Sequence, residues 1–171
     1  PRLAGLGWMT AVGASLGLGV SLATVFALGI LPLEARVLVP VSGMVVGNSL
    51  KVVVVAAVRL VDGLRDRAGE VEALLALGFR PAWAVRDVAS DALRLALLPQ
   101  IETTRSVGVV FLPGALTGLI LAGVDPIQAA LVQAALLFLI LGTAAVTGLV
   151  VVFFGVRVFL TDDQRLVPPA V

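Results

Sequence analysis

The sequence predicts an all-α integral membrane protein of about four spans, interrupted by one cytoplasmic helix-turn-helix loop. Three observations predict it. The 171 residues are 60% hydrophobic and only 13% charged, where a soluble chain carries about 25% charged residues; the mean hydropathy is +1.12. The apolar residues gather into four runs, each long enough for the roughly 20 residues that cross a hydrocarbon core of about 30 Å. The runs are continuous and do not alternate with period two, which excludes a β-barrel. Arginine, finally, is distributed one-sidedly about them.

Taken in order, the spans are 5–31, 37–61, 96–122 and 127–156, within a single transmembrane domain covering 1–171. The chain opens at Pro1 and its first apolar run is too long for a signal-peptide core, so a fragment or processed product lacking N-terminal segments is expected. "PLEAR" with Pro32 joins the first two spans, and "GVDP" with Gly123 and Pro126 joins the last two. Arg2, Arg59, Arg65, Arg67, Arg80, Arg86, Arg94, Arg157 and Arg165 all fall on one side of this layout, against Arg36 on the other. The positive-inside bias then makes the 62–95 loop and both ends cytoplasmic, in an inner or plasma membrane. Gly13/Gly17, Gly43/Gly47, Gly114/Gly118 and Ala144/Gly148 are small-residue pairs at the spacing that lets helices approach in lipid. They predict a compact bundle.

Several functions are excluded by composition. A net charge of +1 and the lack of a basic tract interleaved with aromatics leave nucleic acid no face to bind. With no cysteine and no histidine, disulfides, thiolate chemistry, the commonest zinc and copper ligands and the usual catalytic base are all missing. A P-loop requires Gly-Lys followed by Ser or Thr, and the one lysine, Lys51, follows Leu50. The chain is expected to be neither an enzyme nor an ATPase, to hold no cofactor of its own and to present no metal-ligand set.

The loop carries the most specific signal. Val71, Leu74, Leu75 and Gly78 share one face of a short helix, Gly78 is placed as a left-handed stop, and Pro81 suits the first turn of a second helix. Spacing alone fits a hairpin lying on lipid headgroups equally well. The residue types go further: "EALLALGFRPAWA", with Glu72, Ala73, Gly78, Arg80 and Pro81, resembles the "EAA…G" cytoplasmic loop of ABC-transporter membrane subunits, although "LP" arrives late, at Leu98 and Pro99. From about Pro32 onward, "VLVPVSGMVVGNSL", "EALLALGFRP" and "LRLALLPQIETTRSVGVVFLPGALTGLILAGVDPIQAALVQ" occur in the order and spacing of the FetB-like (YbbM-like) permeases, the iron-export and aluminium-tolerance type of ABC membrane subunit.

That resemblance implies a short helix docking into a groove of a separate ATP-binding subunit that holds ATP and Mg. It also implies a homodimer working with two ATPases, and export of a metal ion or small solute. The chain departs from the family's pattern at Ala115, Leu116 and Leu119, where methionines and a glutamine are usual, and at Lys51. Fewer soft or polar groups are left for handling a metal.

Within the spans, polar chemistry concentrates in "PQIETTRS". Glu102 and Arg105, at i and i+3, can pair, as they must if they lie in lipid, where a lone charge costs about 2.5–3.5 kcal/mol on insertion scales. They read either as a structural or snorkelling pair near the interface, with Pro99 favouring a break just before them, or as the lining of a gate. Pro113 and Gly114 read either as a packing kink or as a broken helix lining a cavity, with Thr117 and the freed carbonyl of Val109 as oxygen ligands. Asn48 and Lys51 are similarly two-sided, Lys51 being a candidate partner for Glu102. Two further functional readings stay open: an ATP-independent secondary transporter or channel relaying ions through Glu102 and Arg105, and a structural subunit of a membrane complex.

Overall fold

The computed structural model describes residues 35–106 and 114–159, together with Ser15 and Gly19, with side chains from 41 and from 116 onward in the two segments. Apart from Ser15 and Gly19, the expected first span lies outside the described residues, as does Pro113. Among the described residues six helices follow one another: α1 (Ala35–Asp66), α2 (Ala68–Ala76), α3 (Pro81–Ala84), α4 (Arg86–Ser106), α5 (Gly114–Leu121) and α6 (Pro126–Phe159). The protein is an all-α membrane protein, and two of the six, α1 from Val41 and α6, are long and apolar enough to cross a bilayer.

The long helices bury stripes set by the 3.6-residue turn. On α1 the stripe is Val41, Val45, Ser49, Val52, Ala56, Leu60 and Leu64. On α4 it advances by fours through Val88, Ala92, Ala96 and Gln100. Val41 and Val45 cluster with Leu136 and Ile140 of α6, and Val52 lies against Gly148, so α1 and α6 run parallel. Gly63 faces Val88 while Val52 and Leu93 both face Gly148, so α4 runs antiparallel to α1.

Lipid is as apolar as the side chains, so close contact and not hydrophobic transfer holds these helices together. Gly148 is a point of close approach among three helices: a Cβ there would come within 2.9 Å of Leu93 Cδ1 and 3.2 Å of Val52 Cγ1. Of the four small-residue pairs, Ala144/Gly148 packs within the bundle. At Gly43, Gly47 and Gly118 an added Cβ would meet nothing within 4 Å, so among the described residues these three lie on outward faces. Gly13 and Gly17 lie outside the described residues.

Helix bounds differ from the expected spans in two instructive ways. The helix bearing Glu102 begins at Arg86, well before residue 96, and passes through Pro99 without a break. A proline removes one donor from the ladder. Here the hydroxyl of Thr103 donates to the Pro99 carbonyl at 2.8 Å and that of Thr104 to the Gln100 carbonyl at 2.9 Å, and helical backbone continues on both sides. The second helix of the loop is also shorter than expected: α3 has four residues, and a turn at Val85 separates it from α4.

At the far end of the molecule, α5 folds back onto α6 through "GVDP". Gly123 has φ +86°, and its amide and that of Val124 donate to the carbonyls of Ile120 and Leu119, the double bond of a Schellman stop. Asp125 then caps α6, its Oδ1 accepting from the amides of Ile127 (3.0 Å) and Gln128 (3.2 Å), with Pro126 at the first helical position.

Candidate functional site

The α2–α3 hairpin is built from the same local chemistry as the α5–α6 turn. α2 ends at Gly78, whose φ of +84° is the left-handed value expected. The amides of Gly78 and Phe79 donate to the carbonyls of Leu75 (3.0 Å) and Leu74 (3.1 Å). Arg80 is extended, at φ −62° and ψ 140°, and Pro81 opens α3. Val71 is buried and Leu74 and Leu75 pack beneath it, joining the hairpin to the core that holds Leu60, Leu64, Val88 and Phe159.

That seating turns the other face outward. Glu72, Ala73, Gly78 and Arg80 are exposed and Pro81 is half-buried. Phe79 and Trp83, four residues apart, stack with ring centroids 4.5 Å apart and planes 16° from parallel, and Trp83 remains 51% exposed beside Leu77 at 75%. Offset stacking of this kind holds two rings as one rigid plate.

Arg67, the residue between α1 and α2, fixes the hairpin's aim. Its guanidinium grips Glu70 bidentately, Nε to Oε2 at 2.8 Å and Nη2 to Oε1 at 2.9 Å. It also reaches Asp87 at 3.9 Å and Asp91 at 3.7 Å on α4. The hydrogen bond from Arg67 holds the Glu70 carboxyl below its ordinary range and raises the guanidinium in turn. Arg59, Asp62, Asp66, Arg67 and Asp91 line a cleft of about 150 Å³ between the end of α1 and the start of α4.

Charge collects at this end of the bundle. The last turns of α1 with Arg59 and Arg65, the hairpin with Arg80, the start of α4 with Arg86 and Arg94, and the end of α6 with Arg157 all meet the same core cluster. Arg157 lies 4.2 Å over the Phe153 ring, a cation–π contact of the kind that holds a long side chain at an apolar–polar boundary.

The expected intramembrane residues are dispersed. Glu102 and Arg105 pair with each other at 3.6 Å, their side chains 61% and 75% exposed. Lys51 is exposed and makes no ion pair among the described residues, so the expected Lys51–Glu102 bridge is replaced by the one-turn pair on α4. Asn48 donates to the Met44 carbonyl one turn back at 2.9 Å. Gly114 opens α5, and Thr117 lies exposed on it. Among the described residues no group of three or more His, Cys, Asp or Glu is placed to hold a metal ion.

Sequence reasoning missed a different set. Ser49, Gln100, Gln133, Thr143 and Thr147 are buried polar side chains inside an apolar bundle, and Gln133 Oε1 and Thr147 Oγ1 have no hydrogen-bond partner among the described residues. Their signal was present: Thr143 and Thr147 share the four-residue spacing of the adjacent Ala144/Gly148 pair. It was obscured because hydroxyls are tolerated in spans and draw less notice than charges. The Phe79–Trp83 spacing and the Arg67-to-Asp91 reach were likewise legible only once the turn placed them.

The family model described as "Uncharacterised protein family (UPF0014)" matches residues 1–160. The chain is 35% identical to the UPF0014 membrane protein YjkA of Bacillus subtilis over 139 residues, 81% of this chain and 56% of that one. It is 33% identical to the UPF0014 membrane protein STAR2 of Oryza sativa subsp. japonica over 92% of this chain and 55% of that one. It is 29% identical to the "Probable iron export permease protein FetB" of Escherichia coli over 91% of this chain and 60% of that one. The chain thus spans a little over half the length of these relatives. No solved structure matches it. With a family match along nearly its whole length and relatives more than 30% identical over most of it, the chain belongs to the UPF0014 family of membrane proteins.

Proposed function

We propose that this chain is part of the membrane-spanning subunit of an ABC transporter, exporting a metal ion or small solute with energy from a separate P-loop ATPase. The α2–α3 hairpin carries the reading. It is a short, well-stopped, outward-facing element at the arginine-rich end, which the positive-inside bias places in the cytoplasm. Glu72, Ala73, Gly78, Arg80 and Pro81 shape it, and the stacked Phe79 and Trp83 give it an apolar plate to seat in a partner's groove. Arg67 ties the hairpin to α4, so a push on it is passed along a 21-residue helix toward Glu102 and Arg105. The name of the Escherichia coli relative, a probable iron export permease, supports the substrate class.

Two charged side chains on the exposed surface of α4, with Lys51 on that of α1, are expensive against lipid. A second copy of the chain covering them accounts for their exposure, and a homodimer with two ATPases is the assembly proposed. ATP and Mg belong to the partner. The test is reconstitution of the protein in liposomes with its co-expressed ATPase: ATP-dependent movement of iron or another cation is expected. ATP-independent, proton-driven movement would favour a secondary transporter relaying through Glu102 and Arg105. No movement with no ATPase association would leave a structural subunit.

A further inference from the structure

Three helices bring buried polar side chains to one depth. Gly148 of α6 touches Val52 of α1 and Leu93 of α4, which fixes a common level. Ser49 is one turn from Val52, Gln100 two turns from Leu93, and Thr147 and Thr143 lie within about a turn and a half of Gly148 on its buried face. At about 1.5 Å of rise per residue, all four fall within roughly 10 Å along the axis. The helix directions established above carry Ser49, Gln100 and Thr143 the same way from that level.

Thr143 spends its hydroxyl on its own helix, donating to the Leu139 carbonyl at 2.8 Å. Thr147 is fully buried and its Oγ1 has no partner among the described residues. A valine would fill the same volume without leaving a desolvated oxygen unpaired. An orphan hydroxyl beside a close three-helix crossing is explained if it has a partner in another state of the protein. Gln133 Oε1, likewise unpaired, lies further along the same face of α6.

We propose that Ser49, Gln100, Thr143 and Thr147 form a transit site for a hard, partly hydrated cation, opened when α1, α4 and α6 part. Their hydroxyl and amide oxygens replace part of the ion's water, as neutral oxygens do in ion-conducting paths. No carboxylate belongs to the group, so the ion is held weakly enough to leave. Gln133 offers the next oxygen along α6. The cation's passage rests on the transporter reading; the opening of the seam to water does not.

The natural chain has no cysteine, so accessibility can be read residue by residue in the reconstituted protein. Thr147→Cys and Ser49→Cys should react with a small hydrophilic methanethiosulfonate about tenfold faster than Ala56→Cys, which is equally buried but apolar, and millimolar Mg²⁺ should slow them. Equal rates would overturn the site, and fast labelling indifferent to Mg²⁺ would overturn its assignment to a hard cation. Thr147→Val should keep or raise the thermal midpoint while ATP-driven flux falls about tenfold; undiminished flux would also overturn the proposal. Absence of ATP-driven flux from the unmodified protein would count against the transporter reading alone, since the labelling rates still decide whether the seam opens.

Discussion

Substitution at Gly78 separates backbone strain from crowding. A Cβ added there would meet nothing within 4 Å, yet the residue sits at φ +84°. The whole penalty is therefore the left-handed conformation. Alanine costs about 1 kcal/mol there, a β-branched valine more, and asparagine less because its side chain tolerates this region. Each kcal/mol is about a fivefold change in the population of the intact turn. The chain relaxes by losing the bonds from Gly78 and Phe79 to Leu75 and Leu74, which unseats the Phe79–Trp83 stack. Trp83 fluorescence in a Trp8→Phe background reads the stack directly, and affinity for the partner ATPase reads its consequence. The expected order of retained stacking and binding is Gly, Asn, Ala, Val, with membrane insertion unchanged throughout. Valine binding as well as glycine, or asparagine ranking below valine, would refute the argument.

Gly63→Ala should behave oppositely: its Cβ would come within 2.8 Å of Val88 Cγ1, and a β-branched neighbour cannot swing aside, so a destabilisation of about 1–3 kcal/mol is expected by thermal unfolding. Gly118→Ala, with nothing within 4 Å, should leave the chain's own thermal unfolding unchanged and serves as its control. Glu102→Gln and Arg105→Ala should each reduce transport with normal insertion, and the double variant should lose less than the sum, because removing one partner strands the other; additive small losses would mark a pair without function. Acidification should loosen the hairpin: Glu70 is held below its ordinary carboxylate range by Arg67, so its contribution is present at neutral pH and above, and is lost as pH falls through that lowered value. After normalisation to the intrinsic exchange rate at each pH, the protection of α2 amides should fall there in the parent and be already low, and flat with pH, in Glu70→Gln.

The hairpin was legible because its chemistry is local. A left-handed stop at Gly78 and an N-terminal Pro81 follow from residue type alone, and both are found. What failed depended on context. Pro99 suggested a break, but the surrounding residues of α4 sustain a helix whose buried edge runs on to Gln100. Sequence offered Glu102 two partners, Arg105 one turn away and Lys51 across the bundle; the pair found is the local one. Gly43/Gly47 and Ala144/Gly148 have the same spacing, and only three-dimensional packing tells that the second pair is the one facing inward, with Gly148 against Val52 and Leu93. The buried polar seam was invisible for the same reason: Ser49, Gln100 and Thr147 are ordinary residues far apart in sequence, brought to one level by the directions of three helices.

The central claim, that the α2–α3 hairpin is the surface on which an ATP-hydrolysing partner sits, is tested most directly by site-specific crosslinking in the cysteine-free chain. Leu77→Cys and Trp83→Cys, at the exposed tip, and Asp125→Cys, at the opposite end of α6, are each co-expressed with the P-loop ATPase and treated with a short thiol-to-amine crosslinker. The account predicts a chain–ATPase adduct from positions 77 and 83 and none from 125. An adduct from 125, or none from 77 and 83 while the unmodified proteins co-purify, would contradict it.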